Sequence, residues 1–291
     1  GHKMANTYKF NREHIKKSDM ICGYGAGKEL VKNQLKEDLK EMYFEGVEDF
    51  FYEAQDNITP MVSVLKETFQ TLWEDERTEY TWTLPDGFVA YLRPVETVEI
   101  TVNPFNQLPI KLIAKAIVPS ARNTRLGVSI IHSVDGYVAR ELVSRCKYDI
   151  EKCLTVLVRI DEFLALNQKH HDDSRHSVAG IISHTAIENL ANLDDSEYEL
   201  YSKSELIEMR QRLIKILEGK SFPVKPIHDG FGCHPNNEKA MNSHYSDILA
   251  ELTDGHLLES IIMEISGKTM LPLTGDLTGD MVRENSKYAI S

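Results

Sequence analysis

The apolar residues of this chain change their period twice, and that constrains the fold more than any other feature. From Lys28 to Glu53 they recur at helical spacing (Leu30, Leu35, Leu39, Tyr43, Val47, Phe50 and Phe51), with charges on the other side. A second amphipathic run follows from Ile58 to Trp73, with Met61, Leu65, Phe69 and Leu72 in register. The period then drops to two. Tyr80, Trp82 and Leu84 before Pro85-Asp86-Gly87, with Phe88, Ala90 and Leu92 after it, predict a hairpin around a tight turn. Val98, Ile100 and Val102 continue the alternation, and Ile110–Val118 reads as a further strand. From Gly136 to about Asn167 the pattern is helical again. The polar segment from about Gln168 to Glu199, rich in His, Asp and Ser, predicts a loop or an inserted piece. Beyond it come a helix at Leu206–Leu217 ended by Gly219, a short hairpin at Pro223–Pro235, helices at Asn237–Leu252 and His256–Ile265, and an irregular tail. Helices and antiparallel strands are segregated, so the expected class is α+β.

Composition narrows the function classes. Of 291 residues 42% are hydrophobic and 27% charged, the proportions of a folded soluble chain. No apolar run reaches the length of a spanning helix, so no membrane partner is expected. Gly1-His2-Lys3 before Met4 read as an expression scar, with Met4 as the native start. Cys22, Cys146, Cys153 and Cys233 show no CxxC spacing and read as reduced core fillers. The formal charge of -12 argues against a general nucleic-acid coat, but totals hide distribution. Ile100 to Val134 contains no acid, although the chain holds 45 Asp and Glu, and Lys111, Lys115, Arg122 and Arg125 lie inside it. That stretch is a candidate for contact with a nucleic-acid backbone; a plain β-rich core with basic edges is the other reading. A second basic cluster, Arg12, His14, Lys16 and Lys17, opens the chain.

Two motifs carry chemistry. Arg12, Lys16, Met20 and Tyr24 are spaced by four, which places them on one helical face and closes the stripe on Gly25. Such a stripe suits a bound triphosphate: the Arg12 fork and the Lys16 charge take phosphate oxygens, while Met20 and Tyr24 lie beneath base and sugar. An amphipathic helix with solvated cations is the plain alternative. In the second, His228-Asp229-Gly230-Phe231-Gly232, an aspartate at a hairpin tip offers a hard oxygen to magnesium, but supplies only part of such a site.

Arg-x3-Lys-x7-Tyr-Gly resembles the fingers-helix motif of the polymerases that include bacterial DNA polymerase I and the single-subunit phage and mitochondrial RNA polymerases. Met20 is similar to the RNA polymerase branch, where DNA polymerases usually carry an aromatic residue. Ile227-His228-Asp229-Gly230-Phe231-Gly232 resembles the palm motif of the RNA polymerases, usually HDS followed by Phe-Gly, with Gly230 in place of the Ser. Between these, Thr83-Leu84-Pro85-Asp86-Gly87-Phe88 resembles their TPDGFPV hairpin, and Ile131-His132-Ser133-Val134-Asp135-Gly136 their VHSQDG stretch. The end, from Leu277 to Ser291, resembles their short aromatic terminal foot.

The resemblance implies a right-hand polymerase fold of mixed helices and antiparallel hairpins: a fingers subdomain over 1–133, then the second half of the palm over 134–291 with a helical insertion at about 147–222. It implies catalytic roles for Asp229, Lys16 and Tyr24, nucleotide binding by Arg12, Lys16, Met20, Tyr24, Gly25 and His132, backbone contact by His228, and two Mg2+ ions with Asp229 as a ligand. The first catalytic aspartate, in a DGSxSGxQH context, should precede Arg12 and does not occur. Asp135 is a weak substitute for it, since Val134-Asp135-Gly136 follows the fingers helix. The implied partner is therefore a second polymerase subunit carrying the N-terminal domain, thumb and first palm motif, as in the heterodimeric RNA polymerases of phages resembling coliphage N-four; a truncated piece of a longer chain is the alternative. DNA template, nascent RNA and NTPs complete the implied partners, in the cytoplasm of the infected bacterial host. Two other readings stand beside this one. His170, His171, Asp172, Asp173 and His176 could hold a metal as in HD-type phosphohydrolases. Alternatively, the chain could be a catalytically silent polymerase-like subunit that binds nucleic acid.

Overall fold

The computed structural model describes residues 12–23, 27–58, 68–69, 71–72, 77–93, 95–103, 109–117, 124–165, 177–227, 230–268 and 277–285. The helices in chain order are α1 (Arg12–Gly23), α2 (Lys28–Leu39), α3 (Val47–Ile58), α4 (Thr124–Cys146), α5 (Ile150–Ala165), α6 (His184–Leu190), α7 (Asp195–Tyr198), α8 (Lys203–Leu217), α9 (Glu238–Asp254), α10 (Leu257–Ser266) and α11 (Gly279–Asn285). Six strands form antiparallel pairs: β1 (Tyr80–Thr83) with β2 (Val89–Leu92), β3 (Val95–Val102) with β4 (Ile110–Ile117), and β5 (Lys225–Ile227) with β6 (Gly230–Gly232). Helices and small antiparallel sheets make the class α+β. Among the described residues no helix is long and apolar enough to cross a membrane. The chain divides into two compact units, residues 1–80 with 92–132 and residues 81–91 with 133–291.

In the first unit Cys22 of α1, Val31, Leu35 and Leu39 of α2, and Val47 and Phe51 of α3 bury one apolar cluster. The helical rhythm expected across 28–53 is correct in its spacing but not in its continuity. Lys40 (φ 49) and Gly46 (φ 90) take left-handed backbone conformations, which end α2 and reset the chain before α3. The period persists across the break because α3 folds back onto the face of α2 that Val31, Leu35 and Leu39 already occupy. Of the amphipathic run expected at 58–73, Ile58 closes α3 and residues 68, 69 and 71 are helical; 59–67, 70 and 73–76 lie outside the described residues. Strands β3 and β4 appear where the alternation predicts them. Their register sets Val98 against Ala114, Ile100 against Leu112 and Val102 against Ile110, which gives one face of the hairpin an apolar row that stays partly exposed.

The second unit begins with the β1–β2 hairpin, whose turn is closed by Leu84 N–H to Phe88 O (2.9 Å) and Gly87 N–H to Leu84 O (2.8 Å). Gly87 supplies the positive φ (77°) that the turn needs. Helix α4 starts at Thr124, twelve residues before the expected Gly136. Leu126 and Ile130 lie on the buried face together with Tyr137 and Leu142, and intervening Gly and Ser residues conceal that stripe in the sequence.

Residues 148–216 share one apolar core, built from Cys153, Val156 and Ile160 of α5, Ile187 of α6, and Leu206 and Met209 of α8 among others. The two ends of this helical body meet. Phe222 N–H donates to Cys146 O (2.8 Å), the Tyr148 hydroxyl donates to Ile216 O (3.0 Å), and Ser221 Oγ donates to Tyr148 O (3.0 Å). A chain that leaves and returns at adjacent points interrupts its host little. Of the loop or inserted piece expected at 168–199, the loop reading is corrected over 177–199, which is folded and contains α6 and α7. Polar residues there and just beyond are structural partners: Ser183 Oγ caps α6 by accepting from Ala186 N–H (3.0 Å), and past this segment Ser202 with Glu205 forms a capping box on α8. The tail expected to be irregular contains α11, tied to α9 by Gly279 N–H to Asp254 Oδ1 (2.7 Å). A helix of seven residues is too short to show a readable period.

Cys22, Cys146 and Cys153 are buried free thiols, as expected of core fillers, whereas Cys233 is only partly buried. Burial pushes the Cys146 and Cys153 thiols up to about 12.

A buried ionic network joins the helical body to the rest of the unit. Arg145 is 2% exposed; its Nε donates to Glu141 Oε1 (2.8 Å), and its two terminal nitrogens grip Glu251 at 2.9 and 2.6 Å. Arg212 of α8 adds a second cation to Glu251 (3.1 Å), and His184 N–H donates to Glu141 Oε1 (2.8 Å). Burial by itself would raise the Glu251 carboxyl, but Arg145 and Arg212 outweigh it and hold it below the usual carboxylate range. Arg145→Ala leaves the buried Glu141 without its cation and Glu251 with Arg212 alone, and should lower unfolding free energy by about 3–5 kcal/mol. Arg210→Ala, which removes an exposed ion pair with Asp161, should cost less than about 1 kcal/mol in the same urea titration. Equal effects would show that the buried network carries no special weight.

His244, next to this network, has its pKa lowered to about 4, chiefly by burial and then by the charge of Arg145, Lys215 and His184 against the opposing Asp247. Its neutral form is favoured in the folded state. The contribution is complete above the ordinary imidazole value near 6.5 and is lost as pH falls toward 4. The urea midpoint should therefore decline across that window, and the decline should flatten in His244→Gln.

Candidate functional site

The stripe residues of α1 lie on a helix held against α2 by its opposite side. Ser18 and Cys22 are buried, and Ser18 Oγ donates to Asp38 Oδ2 (3.4 Å). Lys16 and Met20 are two positions away from these and face solvent, Met20 with 47% exposure. The helix thus presents a cation and a thioether together on an accessible face. Arg12 is the first residue of α1, while Tyr24 and Gly25 lie outside the described residues. Of the basic candidates on the acid-free stretch, Lys111 is exposed on β4 and pairs with Glu99 of β3 at 3.5 Å. Arg122 and the side chains of Lys115 and Arg125 lie outside the described residues. His132 is exposed on α4.

In the second unit, parts of three motif segments are held by contacts with their neighbours. The Trp82 indole N–H donates to Ser133 Oγ at 2.9 Å, joining β1 to α4. The Arg140 fork donates to both oxygens of Asp86 (2.5 and 3.2 Å), and its guanidinium lies 4.4 Å over the Phe88 ring. Glu264 of α10 accepts from the Thr83 N–H (2.7 Å) and the Thr83 hydroxyl (2.9 Å). The Pro85-Asp86-Gly87 turn is therefore fixed from two directions. The β5–β6 hairpin is anchored differently, by the Phe231 ring against Tyr245 of α9, 6.0 Å between centroids. Burial raises the Tyr245 hydroxyl, and the charge of Asp135 on α4 raises it further, so Asp135 and Phe231 both bear on Tyr245. Ile227 on β5 is exposed, and β5 and β6 pair with Ile227 opposite Gly230. His228 and Asp229, the two residues between these strands, lie outside the described residues, as do His170, His171, Asp172, Asp173 and His176.

No family model and no curated protein matches the chain. The functional reading rests on the motifs and on this local geometry.

Several positioning residues were not singled out by sequence reasoning: Trp82, Arg140, Tyr245 and Glu264. Their partners lie 51, 54 and 181 residues away for the Trp82, Arg140 and Glu264 contacts, so no local pattern exposes them. Asp86 could have been noticed as the acid of a tight turn, but its cation is named only by the fold. The Asp86 carboxylate is 6% exposed, and Asp86→Ala should cost about 1–3 kcal/mol and raise hydrogen exchange at residues 84–88. Unchanged exchange there would show that the turn holds itself.

Proposed function

We propose that this chain is the fingers and second palm half of a DNA-directed RNA polymerase of the single-subunit type, working with a second subunit. The observation that carries the reading is the order of the motifs: Arg12 to Gly25, Thr83 to Phe88, Ile131 to Gly136 and Ile227 to Gly232 occur in the sequence of that family. The anchoring of Asp86, Ser133 and Phe231, one residue from each of the last three segments, in the second unit supports it. So does the shared exposed face of Lys16 and Met20.

In this reading the 3′-hydroxyl of nascent RNA attacks the α-phosphate of an NTP paired with a DNA template, and pyrophosphate leaves. Arg12 binds the outer phosphates through its fork, and Lys16 neutralises charge on the leaving pyrophosphate. Tyr24 and Met20 lie under sugar and base, with Gly25 allowing close approach. His132 monitors the geometry of the nucleotide in the minor groove, and His228, with the basic residues Lys111, Lys115, Arg122 and Arg125, contacts nucleic-acid backbone. Asp229 is the proposed ligand for Mg2+. Asp135, exposed on α4, offers one further hard oxygen from the motif segments. The metal would supply Lewis-acid stabilisation of the attacking and leaving oxygens. A further carboxylate comes from polypeptide outside this sequence, for which a second subunit in the cytoplasm of an infected bacterium is the source we propose.

With the partner reconstituted, Asp229→Ala should lower nucleotide addition by at least roughly a thousandfold, the loss of several kcal/mol of charge stabilisation. Tyr24→Phe should raise incorporation of deoxynucleotides relative to ribonucleotides in a primer-extension assay. Full activity of the Asp229 variant would overturn the reading, and an unchanged sugar preference would leave Tyr24 a structural residue.

A further inference from the structure

Within the helical body, α5 and α6 bring three unlike donors to one point. Cys153 lies on α5, and His184 and Glu188 lie one turn apart on α6, so their side chains share a face. Cys153 and His184 are fully buried, while the Glu188 side chain is 18% exposed and gives the site its opening to solvent. The three ligand atoms lie within 4.8 Å of one another. Cys153 Sγ is 4.0 Å from His184 Nε2 and 4.0 Å from Glu188 Oε1, and His184 Nε2 is 3.3 Å from that same Oε1.

Those separations decide between two accounts of the cluster. At 4.0 Å the thiol stands at the outer edge of sulfur hydrogen bonding to both neighbours, so hydrogen bonds alone explain its placement poorly. It is also a poor nucleophile–base–acid relay. His184 Nε2 faces both Cys153 and Glu188, while Nδ1, which a relay would use for the acid and a ligating imidazole for support, has no hydrogen-bond partner among the described residues. A metal ion fits the same triangle. With sides of 4.0, 4.0 and 3.3 Å, the point equidistant from the three atoms lies about 2.2 Å from each. Zinc bonds run about 2.3 Å to sulfur, 2.0–2.1 Å to imidazole nitrogen and 2.0–2.2 Å to carboxylate oxygen. Glu188 Oε1 also accepts the Asp149 N–H at 2.8 Å, which fixes the position of the carboxylate oxygen that faces the triangle.

We propose that Cys153, His184 and Glu188 form a zinc-class metal site that ties α5 to α6, with a water molecule as fourth ligand. Sulfur and imidazole donors select a borderline-soft divalent ion over magnesium, so this site is separate from the proposed magnesium chemistry and independent of it. On binding, the Cys153 thiol proton leaves to solvent and the thiolate bonds the ion. Bonds to Cys153 on α5 and to His184 and Glu188 on α6 would tie the two helices together, with the water position left open.

Cobalt(II) titrated into the chelator-treated full-length chain tests this. The expected result is one equivalent bound per chain with a thiolate-to-cobalt charge-transfer band. That band should be lost in Cys153→Ser and kept in Cys233→Ser, which removes the partly buried cysteine. Glu188→Gln should weaken binding at least about tenfold. Should Cys153→Ser fail to fold by circular dichroism, Glu188→Gln and Cys233→Ser decide the matter. Absence of stoichiometric binding, binding without the charge-transfer band, survival of the band in a folded Cys153→Ser chain, loss of it in Cys233→Ser, or undiminished affinity in Glu188→Gln would each overturn the site.

Discussion

The second unit depends on the burial of Arg145 between two carboxylates. A guanidinium withdrawn from water is tolerable only where its donors and charge are answered in full, and Glu141 and Glu251 answer them from α4 itself and from α9. The requirement is directional. The fork fixes the rotation of α9 against α4, because Glu251 must meet both terminal nitrogens at once. Arg212 and the His184 N–H then bind the helical body to the same pair of carboxylates. Glu141 and Glu251 thus gather contacts from α4, α8, α9 and the start of α6 beside an apolar core of the helical body's own.

The helical body is built as an addition rather than as part of the frame. Its core is its own, its ends meet at Cys146 and Phe222, and its ionic ties run to a network that α4 and α9 already make between themselves. Because those two ends lie side by side, the chain passes from α4 to β5 with little displacement. That arrangement keeps the β5–β6 hairpin close to the helix that follows it, where Phe231 finds Tyr245. The polar face of α6, with His184 and Glu188 turned toward Cys153, sits inside this addition and not at the motif surface.

At the motif surface, each segment is held by a contact unlike the others: an indole to a hydroxyl, a fork to a turn aspartate, a carboxylate to a threonine, a ring to a ring. Such anchors fix loops and hairpins without enclosing them, so the segments remain accessible while their backbones are constrained. In the first unit α1 shows the same economy: Ser18 and Cys22 face inward, and Lys16 and Met20 are left outward. This is the arrangement expected of side chains kept for a ligand, and the proposed polymerase reading draws on it.

The periodicity of the sequence by itself determined the class, two of the hairpins, the strands of the third and most helices, because burying one face of a helix or strand forces apolar residues to recur every 3.6 or every two positions. It also determined the stripe Arg12–Lys16–Met20, since spacing by four is a property of the helix alone. Tertiary structure decided what has no local signature. The break between α2 and α3 rests on two left-handed residues, Lys40 and Gly46, inside a run whose apolar spacing is unbroken. The fold of 177–199 escaped because its serines and histidine serve as caps and buried partners, and a polar residue reads as solvent-facing until its partner is known. Asp86–Arg140, Trp82–Ser133, Arg145–Glu251 and Cys153–His184 all join residues far apart in the chain. A hydrogen bond or ion pair depends on distance and angle between two side chains, and only the folded chain brings those two side chains within reach of each other.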